Sequence, residues 1–106
     1  MESALAIIAI VDRGKADYIV KRAKQAGAHG ATILYGRGTG EKEAKKFLNF
    51  QIESSKEAIL ILVEKKNSEQ IFNEMVDAGK LNSPGTGIIF TAQVSNLVGF
   101  HHRNDA

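Results

Sequence analysis

The chain contains no cysteine, which excludes a disulfide framework and thiolate chemistry. It has little surplus of either charge: fourteen basic residues interleave with twelve acidic ones, as on solvated faces, and a formal charge of +2 gives no argument for nucleic acid. The apolar run in "MESALAIIAIV" is too short to span a bilayer, and it lacks the positive n-region and cleavage site of a signal peptide. A soluble, cytoplasmic protein without membrane insertion is the expectation. Catalytic signatures are missing as well. No GxSxG, HExxH or paired-acid pattern occurs, and Ser54 and Ser55, near Glu53 and Glu57, have no histidine close by in sequence. We therefore expect no enzyme and no catalytic residue. The three histidines carry no Cys/His spacing: His29 reads as a turn residue, His101 and His102 as a flexible tail, and no metal is expected.

What is present is ordinary globular composition, 43% hydrophobic and 25% charged, in 106 residues, the size of one domain. It also contains a repeat. Residues 6–27, "AIIAIVDRGKADYIVKRAKQAG", align without a gap to residues 58–79, "AILILVEKKNSEQIFNEMVDAG", at an offset of 52. Ala6, Ile7, Val11, Ile19, Ala26 and Gly27 match Ala58, Ile59, Val63, Ile71, Ala78 and Gly79. Each copy opens on a β-branched apolar run, Ile7–Val11 or Ile59–Val63, that reads as a buried strand. A helical period follows, with Ala16, Ile19, Val20, Ala23 and Ala26 on one face in the first copy and Ile71, Phe72, Met75 and Val76 in the second. Asn67 with Gln70 suits a helix start, and Gly27 and Gly79 suit the left-handed stop. "GATILY" (30–35) and "GIIFTAQV" (87–94) supply a further strand to each unit.

Two β-α-β units in this order make an α+β fold, the ferredoxin-like βαββαβ sandwich: a four-stranded antiparallel sheet with both helices on one face. The strands are nevertheless apolar on both faces over Ala4–Val11 and Ala58–Val63. A face bare to water would alternate with polar residues, so a second copy of the chain is expected to cover it.

Two glycine-rich connections remain. "YGRGTG" (35–40) opens a long segment, about 36–53, that carries Glu41, Lys42, Glu43, Lys45 and Lys46 and then Phe47, Leu48 and Phe50. It suits a partner-binding arm, or a solvated hairpin with a helical turn at 41–46. "AGKLNSPGTGII" (78–89) brackets Lys80 and Thr86 with glycines, and the only proline, Pro84, stiffens it; such a loop can form an anion nest. Neither has the spacing of a P-loop or of the dinucleotide fingerprint.

Taken together, "GAHGATILYGRGTG" (27–40) and "AGKLNSPGTGIIFTAQV" (78–94) resemble the PII signal-transduction family, with the first leading into its T-loop and the second forming its B-loop, here 79–87, and last strand. The resemblance covers nearly the whole chain, as one domain over 1–106. It implies a homotrimer that binds an adenine nucleotide (AMP, ADP or ATP) between subunits and regulates a membrane transporter or metabolic enzyme, in nitrogen regulation, through a mobile loop. It also implies that Gly36, Arg37, Gly38 and Thr39 wrap the nucleotide, that Lys80, Gly85, Thr86 and Gly87 cradle its phosphates, and that Thr32 approaches the adenine.

Some positions depart from the family pattern. Ile88 stands where the family has a second B-loop lysine, and "NLVGFHHRN" offers only Arg103 where the family has two arginines. Each missing charge-assisted hydrogen bond costs on the order of 1.5–3 kcal/mol, which disfavours a triphosphate and brings AMP, ADP or a cyclic nucleotide forward. The segment 36–50 has no tyrosine, so the family's uridylylation is not implied, and "DRGK" (12–15) includes a three-residue excess. A trimeric CutA-like metal-binding or structural protein is the alternative within the same fold. The strands lack the aromatic platform of an RNA-binding sheet, so nucleic acid is not an expected partner.

Overall fold

The two copies of the repeat supply the central pair of strands of one sheet. The structure is a computed structural model that describes residues 3–38 and 54–100. In chain order it contains β1 (Ala4–Asp12), α1 (Ala16–Gln25), β2 (Thr32–Gly38), β3 (Ser54–Glu64), α2 (Lys65–Gly79) and β4 (Gly87–Gln93). The sheet order is β2-β3-β1-β4, and all three pairings are antiparallel. This is the ferredoxin-like sandwich expected from the sequence.

The period of two along each strand decides what is buried. On β1, Ile7, Ala9 and Val11 point to the helix side and are fully buried; on β3, Ile59, Ile61 and Val63 do the same. They meet Ile19 and Ala23 of α1 and Ile71 and Met75 of α2 in one cluster. Each of these large side chains contributes about 1.5–3 kcal/mol by leaving water. The α1 face read from the sequence is buried except for the partly buried Ala26, and on α2 Ile71 and Met75 are buried with Phe72 packed against them, whereas Val76 is only half-buried. Among the described residues no helix is long and apolar enough to cross a membrane.

The duplication is visible in the pairings. Ile8 and Leu60, equivalent at the offset of 52, are direct cross-strand partners. Arg22 and Glu74, also equivalent, form an ion pair between α1 and α2. Both pairs join a residue to its own counterpart, so the local two-fold axis of the repeat passes through the sheet and through the helix pair. Arg22 also donates to Asp77 at 2.7 Å and to the Tyr18 hydroxyl at 2.9 Å. The bond to Asp77, then those to Tyr18 and Glu74, raise its pKa and keep it charged.

Three local expectations are corrected. Gly27 has φ 118° just past the end of α1, as a stop residue should, but Gly79 still belongs to α2. The left-handed residue there is Lys80, with φ 53° and ψ 43°. A Cβ on Gly79 would lie 3.0 Å from both Ile19 Cδ1 and Leu81 Cγ, so this glycine serves close packing rather than the stop. Helix α2 starts at Lys65, two residues ahead of Asn67. Finally, β2 does not stop at Tyr35: Gly36, Arg37 and Gly38 pair with Lys56, Ser55 and Ser54.

The start of α1 is capped from a distance. Lys15, at the N-cap, supplies no side-chain bond. Instead the buried carboxylate of Glu57 on β3 accepts from the Gly14 N–H at 3.1 Å and the Ala16 N–H at 2.9 Å. Such caps stabilise a helix by about 0.5–2 kcal/mol.

Candidate functional site

The loop from α2 to β4 is held by its own polar groups. The Leu81 N–H donates to the Val76 carbonyl at 2.9 Å and the Ser83 N–H to the Lys80 carbonyl at 3.0 Å, which closes the turn around Lys80. Thr86 Oγ1 lies 2.8 Å from the Lys80 carbonyl oxygen and 2.9 Å from that of Ser83. Gly85 has φ 80° and Gly87 φ 143°, values that disfavour any residue with a Cβ. Gly87 is already the first residue of β4, paired with Val11, and a Cβ there would sit 2.6 Å from the Ile10 carbonyl oxygen. The outer end of this loop is therefore pinned to β1, while Lys80 stands exposed at its inner end.

The other candidate residues lie on β2. Thr32, Gly36 and Gly38 alternate onto the face away from the helices; Arg37 falls on the helix side, like Tyr35. The Arg13 guanidinium packs 5.0 Å from the centre of the Tyr35 ring. Lys56, next to Gly36 in the ladder, donates to Asp12 at 2.6 Å. The stem of the 39–53 connection is thus tied to the β1–α1 turn, although Thr39 itself lies outside the described residues, as do the helical turn considered at 41–46, His101, His102 and Arg103.

The antiparallel register puts the last residues of β2 and the first of β4 at the same end of the sheet, since Gly36 pairs with Lys56, Lys56 with Asp12, and Val11 with Gly87. They are at opposite edges, however, with β3 and β1 between them. Three interstrand steps of about 4.8 Å amount to on the order of 14 Å. One chain therefore brings Gly36, Arg37 and Gly38 together, and separately Lys80, Gly85, Thr86 and Gly87, but it does not join the two groups.

Thr32 stands four residues back along β2 and lines an open hollow of about 400 Å³ with His29, Leu60, Leu62, Gly99 and Phe100. The segment after β4 has thus crossed the end of the sheet to reach β2. Sequence reading missed Phe100 as a wall of this hollow; Gly99, with φ 98°, is the bend that turns the chain beside it.

The face shared by Thr32, Gly36 and Gly38 is apolar. It carries Ile8 and Ile10 of β1, Leu60 and Leu62 of β3, Leu34 of β2, and Ile88 and Phe90 of β4. Leu34 and Ile88 are each 56% exposed, Phe90 45% and Leu60 38%. Ile88, in place of the lysine of the resembled family, is part of this face and pairs with Ile10.

The family model described as nitrogen regulatory protein P-II matches residues 4–103. The chain belongs to the P-II family. Two solved P-II structures share the fold. The Arabidopsis thaliana PII bound to citrate superposes with a TM-score of 0.66 at 23% identity, over 89% of this chain and 79% of that one. The B. subtilis GlnK–ATP complex gives 0.67 at 19% identity, over 92% and 88%. A comparison with curated proteins by sequence finds no match. As a P-II protein, the chain is placed among signal-transduction regulators of this ferredoxin-like fold.

Proposed function

We propose that this P-II protein is a regulator with no chemistry of its own, which assembles as a homotrimer in the cytoplasm through the apolar sheet face. It binds an adenine nucleotide in clefts between copies. In each cleft Thr32, Gly36, Arg37, Gly38 and Thr39 of one copy stand opposite Lys80, Gly85, Thr86 and Gly87 of the next. The nucleotide biases the 39–53 connection, which engages a membrane transporter or a metabolic enzyme; only a difference in affinity between two loop states can transmit the signal. The observation that carries this reading is the separation of two half-sites at one end of the sheet, on opposite edges, beside a face that would otherwise leave Leu34, Leu60, Ile88 and Phe90 in water. Ligands named with the two similar structures, ATP for the one and citrate for the other, support a small anionic effector.

Calorimetric titration with AMP, ADP and ATP, with and without magnesium, tests the reading. One site per chain is expected, with each copy giving half of two clefts. Lys80→Glu removes a cation and adds a charge of the wrong sign, and affinity should fall at least about tenfold, the worth of one charge-assisted hydrogen bond. Gly36→Val should have a similar effect by obstruction, since a Cβ at Gly36 has nothing within 4 Å in its own chain and the fold has room for it. With Ile88 in the apolar face, ADP or AMP should bind at least as well as ATP. Absence of binding by all three would remove the nucleotide from the proposal.

A further inference from the structure

Lys80 is a residue in the wrong conformation for its type. At φ 53° and ψ 43° it occupies the left-handed region, where a Cβ crowds the backbone and glycine is the usual occupant. Some interaction has to hold it there. The Lys80 N–H donates to the Asp77 carbonyl at 3.2 Å and the Leu81 N–H to the Val76 carbonyl at 2.9 Å, the pair of bonds that any residue ending this helix in the left-handed conformation would have. Its carbonyl is different: it receives the Ser83 N–H at 3.0 Å and has the Thr86 hydroxyl at 2.8 Å. Thr86 is followed by Gly87, which is seated against the Ile10 carbonyl. A continuous path thus leads from the sheet through Gly87 and Thr86 to the backbone of Lys80.

The hydroxyl of Thr86 has one proton. Two backbone carbonyls, of Lys80 and Ser83, lie within reach of it, and both can only accept. The proton is therefore used inside the loop, and none is left to donate to a phosphate oxygen. What Thr86 presents outward is lone pairs, which an anion does not seek. A direct phosphate contact is consequently the weaker role for this residue.

We infer that Thr86 is a positioning residue: its hydroxyl holds Lys80 in the left-handed conformation and so pre-sets the cation for an anionic ligand. The inference rests on the nucleotide reading of this loop and changes what one of its residues does. The gain is preorganisation, since a lysine fixed before binding loses less freedom when the ligand arrives.

The test is a double-mutant cycle read by ADP calorimetry. Thr86→Val keeps the shape and removes the hydroxyl, and should weaken ADP about fivefold, the worth of one neutral hydrogen bond. Thr86→Ser should stay near the parent. In a Lys80→Ala background, Thr86→Val should cost nothing further, because its effect passes through the lysine. A second readout needs no ligand: the strong intraresidue Hα–HN cross-peak that marks positive φ at Lys80 should be lost in Thr86→Val and kept in Thr86→Ser. If Thr86→Val costs as much in the Lys80→Ala background, or leaves the cross-peak and the affinity unchanged, the positioning role is overturned while the nucleotide site stands. If the parent protein takes up no ADP at all, the reading of the loop falls and this inference with it.

Discussion

Leu60→Glu is expected to give a folded single chain, running at 11.5 kDa, where the parent protein is expected to run as a multiple of that mass. Leu60 lies at the centre of the outer face, on the local two-fold axis with Ile8, between Thr32 of β2 and β1. In the single chain it is 38% exposed, so a carboxylate there can reach water and the core behind the sheet is untouched. In an assembly that covers this face the same carboxylate would be buried among Ile8, Leu62 and Phe90 without a partner. That desolvation costs several kcal/mol per copy, and symmetry repeats it in every copy. Light scattering coupled to gel filtration reads the mass, and far-ultraviolet circular dichroism confirms the fold. Nucleotide binding should disappear together with the assembly, since each half-site loses its opposite half. A Leu60→Glu protein that keeps the parent's mass would show that this face is not the interface.

Gly87→Ala is expected to have the largest effect on stability, on the order of 2–4 kcal/mol, from backbone strain and a forced overlap together. The added methyl would sit 2.6 Å from the Ile10 carbonyl oxygen and 3.0 Å from Val11 Cγ1, at a φ of 143°. The oxygen belongs to the backbone of a central strand and cannot swing aside as a side-chain end could. Either β4 moves off β1 or the Lys80–Thr86 loop gives up its anchor. Gly85→Ala serves as the control. Its φ of 80° is also unfavourable, but a Cβ there meets nothing within 4 Å, so only the conformational part of the cost remains. Urea midpoints of the two variants should therefore differ clearly, with Gly87→Ala the lower. Equal midpoints would mean that the overlap with Ile10 is readily relieved.

The duplicated unit was the most legible feature of the sequence, because hydrophobic period and chain order depend on local spacing alone. Ala6, Ile7 and Val11 predict a strand, Ile19, Val20 and Ala23 a helix face, and the offset of 52 predicts that the halves repeat. Even the bare sheet face could be read, as apolar residues at positions where alternation calls for polar ones. Tertiary pairing hid the rest. Gly36 and Gly38 have poor strand propensity and read as loop, yet the ladder to Ser54–Lys56 continues β2 through them. Glu57 caps a helix that begins 41 residues earlier in the chain, and a rule built on neighbours cannot find it. Gly79 and Lys80 exchanged roles because a glycine was also needed where α2 touches Ile19; the left-handed position passed to the next residue.

For the candidate site, sequence resemblance named both half-sites, and the register added their relation. Placing Gly36 and Gly87 at one end of the sheet on opposite edges requires the pairings of all four strands. It also separates Arg37, on the helix side beside Tyr35 and Arg13, from Thr32, Gly36 and Gly38 on the outer face. An arginine at an edge strand can still serve a cleft formed along that edge, which a residue in a central strand could not.

The most direct measurement of a site shared between copies is complementation between two defective chains. Gly36→Val spoils the half on β2, and Lys80→Glu spoils the half on the loop. Each variant alone should bind ADP poorly. Unfolded together and refolded as a mixture, they should recover parental affinity at a fraction of the clefts, those where β2 of a Lys80→Glu chain faces the loop of a Gly36→Val chain. Such recovery, absent from mixtures made without refolding, is the expected result. A refolded mixture that binds no better than its two components would contradict a site built between subunits.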